Sequence, residues 1–225
     1  MKRFAITFLL MMSSMASAGT DWAEVGNGAD VIICSDSRSG RLYDTYETTH
    51  RFGFDLQYPS FQLPSRLDNL PGHDSRYVMS AVNIAKDMIQ RLQLRDPEMM
   101  KSLLQWADSF PQEARFVSGD LLDIPDTGIG VVPAGCSLRQ LVIQRTPKLP
   151  EDRLYLVAHD YWRFMLLEQQ AATVVHEVLY RYALKKNPGL RSSEPVRYFN
   201  ALILSKKIET MSESEYLEIK KILGF

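Results

Sequence analysis

Two cysteines, Cys34 and Cys136, set the tightest limit on what this chain of 225 residues can fold into. Their meaning depends on the residues that open the chain. Lys2 and Arg3 form a basic start, an apolar run from Phe4 to Met12 follows, and Ala16-Ser17-Ala18 is a small-residue cleavage site. The run is about nine residues, whereas a helix crossing ~30 Å of hydrocarbon takes roughly 20. The pattern is that of a secretory signal peptide, residues 1–18, cut after Ala18. Gly19 rather than Cys follows the cut, which disfavours a lipid anchor. An exported chain meets an oxidising compartment, and two cysteines allow one intramolecular connectivity. A Cys34–Cys136 disulfide is therefore expected; the alternative is two buried free thiols. The spacing excludes a C-x-x-C redox or zinc motif.

Cleavage removes two bases and no acid, so the net charge moves from −1 to −3. A near-neutral chain in that compartment is not built to coat nucleic acid, and no nucleic-acid partner is expected. After Ala18 no stretch is apolar for long enough to span a bilayer, so no integral membrane segment is expected once the leader is gone. Residues 19–225 suit a single globular domain. The expected location is the periplasm or the medium, with an unknown protein or envelope component as partner.

The class read from the pattern is α+β, a small and mostly antiparallel sheet packed with helices, with a helical C-terminal third. Val31 to Cys34 reads as a buried strand. Residues 41–52 fit either a strand or the start of a helix. Tyr58 to Gly72 reads as loop. Residues 75–93 repeat Val78, Val82, Ala85, Ile89 and Leu92 at helical spacing. Asp96-Pro97-Glu98 predicts the N-cap, proline and acidic first turn of a second helix, to about Ser109. Short strands are expected at 116–117, 121–122, 131–132 and 138–143, and at 153–158, the last two forming an antiparallel pair. Helices follow at 159–168 and 169–186, the latter stopped by Asn187-Pro188-Gly189, then from Pro195 to about Lys206. A final helix is started by the Ser212/Glu215 capping box and ended by Gly224.

The segment His176-Glu177-Val178-Leu179-Tyr180-Arg181 carries the most chemistry. At 100° per residue, Ala171, Val174, Val175, Val178, Leu179 and Tyr182 share one arc, and Thr173, Glu177, Tyr180 and Arg181 the other, with His176 at the border. The polar arc is either solvated or covered by another element. A zincin helix carries H-E-x-x-H, two imidazoles one turn apart on zinc with the Glu activating water. Here Tyr180 replaces the second His, and a phenol is a poor ligand beside imidazole. No cofactor is expected; a zinc site of His159, His176 and Glu194 is the alternative. Without metal, His176 is a candidate base, Glu177 its partner, Tyr180 a proton donor and Arg181 an anion clamp. Arg197 and Asn200, one turn apart on the next helix, are candidate supports. The plainer reading is a solvated Glu177–Arg181 ion pair with His176 packed at its edge. Asp120, Asp123 and Asp126 read as turn residues. His50 and His73 read as surface histidines.

Taken in order, Gly26-Asn27-Gly28-x-Asp30-Val31-x-x-Cys34, Asp123-Ile124-Pro125-Asp126, Pro133-x-Gly135-Cys136, His176-Glu177-x-x-Tyr180-Arg181 and Arg197-Tyr198-Phe199-Asn200 resemble a set of exported proteins of Gram-negative bacteria, predatory ones among them. The resemblance implies export and a shared fold rather than a reaction. Two functions follow from the sequence. One is a non-catalytic envelope or secreted binding protein. The other is a peptidase-like hydrolase with its site on the 169–186 helix. The first is preferred because the single catalytic motif is interrupted.

Overall fold

In the computed structural model, residues 24–35, 40–57, 75–126, 128 and 132–225 are described. The expected leader, the 58–72 segment read as loop, His73 and Val131 of the expected 131–132 strand lie outside them. The chain enters as β1 (Glu24–Asn27) and β2 (Asp30–Cys34), then β3 (Gly40–Leu42) and helix α1 (Tyr43–His50). The ambiguous 41–52 segment is thus both a strand and a helix. Next come α2 (Ser75–Gln90) and α3 (Pro97–Glu113). Asp96 accepts a hydrogen bond from the Met99 amide at 3.0 Å, as its N-cap position requires. The helix runs past Ser109 because Pro111 sits in its last turn without ending it.

Strand β4 (Ala114–Val117) follows, then β5 (Cys136–Gln140), β6 (Val142–Arg145) and β7 (Tyr155–Ala158). Leu121-Leu122 forms no strand; Leu122 is exposed and has no sheet to join. Helix α4 (His159–Trp162) is a single turn, shorter than the expected 159–168 helix, and α5 (Leu167–Lys186) starts afresh after it. The Gln170 side-chain amide donates to the Trp162 carbonyl at 2.9 Å, so α5 itself satisfies the broken end of α4. The chain closes with α6 (Glu194–Leu204), α7 (Lys207–Thr210) and α8 (Glu213–Leu223). Ser212 caps α8 by accepting from the Glu215 amide at 3.1 Å, and Gly224 ends it at φ 76°, a conformation glycine adopts at least cost.

The class is α+β, with two small sheets in the orders β1-β6-β7-β4 and β3-β2-β5. All pairings are antiparallel except β4 with β7. The β6–β7 pair is the antiparallel one expected from the sequence. The 138–143 run, however, is split at Leu141. Before the split, β5 pairs with β2; after it, β6 pairs with β1. Asp30 faces Gln140 and Asn27 faces Ile143, so the register carries through the break unchanged. The two sheets therefore share one antiparallel ribbon that bends at Gly28-Ala29 on one strand and at Leu141 on the other. The Ala29 carbonyl accepts from both the Leu141 and Val142 amides at the bend.

Gly28 is needed there. A Cβ on it would lie 2.4 Å from the Val142 carbonyl oxygen and 2.9 Å from a Glu177 carboxylate oxygen. At the far end of the ribbon, Cys34 and Cys136 face each other across β2 and β5 and form a disulfide, their Cα atoms 3.9 Å apart. The Pro133–Cys136 turn, with Gly135 at φ 78°, brings Cys136 into place.

Helices α2, α3 and α6 pack around α5, and α1 packs on α6. From Ala171 to Leu179 every residue of α5 is buried. Among the described residues no helix is long and apolar enough to cross a membrane.

The disulfide closes a sequence separation of 102 residues. In the chain-entropy view such a bridge stabilises by about 4–5 kcal/mol. Urea unfolding of the Cys34→Ser/Cys136→Ser double variant should show a loss of that order; an unchanged midpoint would refute the bridge as a stabilising constraint.

Candidate functional site

Helix α5 has to bury polar residues, because it is enclosed on every side. Thr173 donates back to the Gln169 carbonyl within the helix at 2.9 Å; Gln169, Gln170, His176 and Glu177 serve neighbouring elements. Gln169 Oε1 accepts from the Leu42 amide at 2.9 Å and from Thr45 Oγ1 at 3.1 Å, capping α1, whose N-cap residue is a leucine. Glu177 answers the bend in the ribbon. Its Oε1 accepts from the Ala29 amide at 2.8 Å, and its Oε2 accepts from Gln144 Nε2 at 2.8 Å. The same Gln144 amide nitrogen donates to the Glu177 carbonyl at 2.7 Å. Gln140 Nε2 donates to the carbonyl of Val142 at 2.8 Å. A bent ladder leaves backbone groups without strand partners, and two side chains replace them here, Glu177 for the Ala29 amide and Gln140 for the Gly28 and Val142 carbonyls.

His176 points the other way, into α1 and α6. Asp44, on α1, receives His176 Nδ1 at 2.7 Å and Asn200 Nδ2 at 2.6 Å on its Oδ2. Asn200 Nδ2 also reaches the Ala172 carbonyl at 3.2 Å. All three side chains are buried. Burial would push the Asp44 carboxyl up, but the His176 charge and the hydrogen bonds from His176 and Asn200 hold it below its ordinary value. Burial would likewise push the His176 imidazole down, and the Asp44 carboxylate outweighs it and holds the pKa above the ordinary value. His176 Nε2, Asp44 Oδ1 and Asn200 Oδ1 have no hydrogen-bond partner among the described residues.

One turn along α1, Glu47 accepts from Arg197 Nε at 2.7 Å and from Arg51 Nη1 at 2.7 Å. Arg197, also buried, donates to the Asp126 carboxylate, to Ser193 Oγ at 2.6 Å and to the Gly128 carbonyl at 3.1 Å. Arg51 donates to the same Gly128 carbonyl at 2.7 Å and pairs with Glu194. Two guanidiniums thus fasten Asp126 and Gly128 to α1 and α6. Asp30, at the start of β2, lies against this cluster. Burial pushes its carboxyl up to about 8; the His176 and Arg197 charges oppose that rise, and Asp126 and Asp44 add to it.

The expected site residues therefore separate. His176, Arg197 and Asn200 meet in one buried network. Glu177 is buried too, but it serves the ribbon rather than His176, since neighbours on a helix diverge by 100°. Tyr180 is buried with its ring parallel to that of His176, centroids 6.3 Å apart. Arg181 pairs with Glu113 at 2.7 Å and lies over the Trp106 ring. The solvated Glu177–Arg181 ion pair is thus incorrect: the polar arc is covered by the ribbon and by α3. The zinc candidates engage separate partners, His176 with Asp44, Glu194 with Arg51, and His159 with Asp160. Among the described residues no group of three or more His, Cys, Asp or Glu is arranged to hold a metal ion. Asp120 accepts from the Tyr161 hydroxyl, and Asp126 is an ion-pair partner rather than a plain turn residue. His50 is exposed and stacks on Tyr46.

Asp44 and Glu47 were not legible as site residues. Their spacing with Arg51, at three and four, is the signal that places them on one helical face. Asp30 stood inside a motif with nothing beside it to show its partner. Comparison with known protein families, with characterised proteins and with solved structures finds no match for this chain.

Two variants test the clamp and one tests the cluster. Glu177→Ala leaves the Ala29 amide without an acceptor, while Gln144 Nε2 keeps the main-chain carbonyl of residue 177. The substitution should cost about 1–3 kcal/mol in urea unfolding. Glu177→Gln keeps one acceptor and should cost less; equal stability of all three proteins would exclude the clamp. Asp30 holds its proton to about pH 8 when folded and releases it near 3.8 when unfolded. The folded form binds the extra proton, so stability falls as pH rises from about 4 to about 8, by at most about 1.4 kcal/mol per pH unit. Asp30→Asn should remove that slope; parallel stability–pH curves would contradict the assignment. The His176–Asp44 pair has the opposite sense at its two limits. The His176 contribution is whole below about pH 6.5 and is lost as pH rises through its raised folded pKa. The Asp44 contribution is whole above about pH 4 and is lost as pH falls through its depressed one.

Proposed function

We propose that this chain is an exported, non-catalytic binding or envelope protein, grouped by its motifs with the exported Gram-negative proteins it resembles. The observation that carries the reading is the burial of His176, Glu177 and Tyr180, each without solvent exposure. A hydrolase needs its base and its water-orienting carboxylate at a surface that substrate reaches. Here both carboxylate oxygens of Glu177 are occupied by the ribbon and Nδ1 of His176 by Asp44. The disulfide supports export, since such bridges persist in oxidising compartments.

The motif segments also find a common explanation. Gly28 and Ala29 meet Glu177, Asp126 meets Arg197, Gly135 and Cys136 set the disulfide, and Asn200 meets Asp44. These segments, distant in sequence, meet in one interior. A second reading, of a proton-exchanging site, is favoured by one feature: His176 is oriented by Asp44 as a catalytic imidazole would be, with Asp30 close by as an acid.

The mature protein recovered from the envelope or medium should begin at Gly19 by intact mass. It should turn over none of a panel of peptide, ester and cell-wall substrates. Turnover by the wild type that is lost in a His176→Asn variant of equal thermal midpoint would overturn the binding reading in favour of the second.

A further inference from the structure

A cleft of about 350 Å³ opens between the C-terminal end of α3, the loop joining β6 to β7, and α5. It is of the size that holds a small organic ligand, for which roughly 300–1,000 Å³ is usual. Pro147 and Leu154 give it apolar surface, and Arg153 and Arg181 line it from two different elements.

The two acids on its wall are already satisfied from within the chain. Asp152 Oδ2 accepts from the amides of Lys148 and Leu149 at 2.9 and 3.0 Å, and its Oδ1 faces Arg145 at 3.7 Å. Those backbone donors hold the Asp152 carboxyl below its ordinary pKa, so it stays charged and bound to its own loop. Glu113 Oε2 accepts from both Ser109 Oγ and Arg181 Nη1.

The arginines are less fully used. Arg153 Nη1 donates only to two backbone carbonyls, of Glu151 at 3.3 Å and Asp152 at 3.4 Å, and it has no acidic partner among the described residues. Arg181 gives one nitrogen to Glu113 and rests its guanidinium 4.7 Å over the Trp106 ring, which fixes the plane of the fork. Arg115 adds a further positive charge near Asp152. The two lining acids balance the two lining arginines, and Arg145 and Arg115 beside Asp152 tip the surroundings positive, around planar forks and an apolar wall.

We propose that this cleft binds the carboxylate of a small organic acid bearing an apolar group, with Arg153 and Arg181 as the anion clamp. Guanidinium forks match a carboxylate in plane, and Leu154 with Pro147 covers the apolar part. The inference rests on the binding reading above and supplies its ligand class. Arg181, assigned from the sequence to a clamp beside His176, takes that role on the opposite side of α5.

The test is an amide and arginine Nε NMR titration of the full mature protein with N-acetyl-L-leucine. Its amide, N-acetyl-L-leucinamide, and inorganic phosphate serve as comparison arms. The acid should shift the resonances of Arg153, Leu154 and Arg181, and the leucinamide should not. Arg153→Ala should weaken binding about tenfold, the scale of one charge-assisted hydrogen bond. Arg181→Lys should weaken it as well, because a lysine keeps the charge and loses the fork. Equal binding of acid and amide, preference for phosphate, shifts elsewhere on the protein, or no shifts at millimolar acid would each overturn the proposal. An acid that binds but is chemically converted would overturn the non-catalytic reading instead, and would leave the cleft assignment standing.

Discussion

The hydrogen bond from the Ala29 amide to Glu177 is the contact on which the two-sheet arrangement depends. One antiparallel ribbon supplies strands to both sheets, and it can do so only by bending. Bending takes backbone groups out of the ladder, and a buried amide without an acceptor costs about 1–3 kcal/mol. Glu177 removes that cost from inside the helix layer, and Gly28 clears the space for the carboxylate to approach. Sheet and helix are joined at one point by a buried hydrogen bond to a carboxyl whose pKa burial holds above its ordinary value, rather than by apolar contact alone.

Around that point the protein buries an unusual amount of charge. Asp44, Glu47, His176, Glu177 and Arg197 all lie in the interior, and each is held by at least one hydrogen bond. Removing one member of such a buried set strands its partner, which costs more than the pair contributes in net stability. The arrangement favours a unique packing over a merely stable one. It also gives the H-E sequence on this helix, so like a zinc motif, a role in buried hydrogen bonding. The two residues point along diverging directions and serve different neighbours, the ribbon for one and α1 for the other.

Much of the fold was legible in the sequence because it rests on apolar periodicity and on caps. The spacing of Val78, Val82, Ala85, Ile89 and Leu92 defines α2, and Asp96 and Ser212 mark the starts of α3 and α8. The disulfide followed from the expected leader and the count of cysteines. What was hidden was polar. Helix α1 buries Asp44, Thr45, Glu47 and Thr48, so it carries no apolar stripe to be read. The polar arc of α5 reads as a solvent face in isolation and is largely an interior face in three dimensions, because its partners outside the helix lie 33 to 148 positions away. Leu141 reads as the middle of a strand, and only the pairing with two different sheets shows it to be a corner.

The central claim is that Glu177 anchors the bent ribbon. Amide hydrogen exchange at Ala29 tests it most directly, since that single proton reports whether the contact persists in solution. The account predicts that Ala29 exchanges as slowly as the β2 amides, opening only with global unfolding. Exchange of Ala29 at the rate of an exposed loop amide, with β2 still protected, would contradict it.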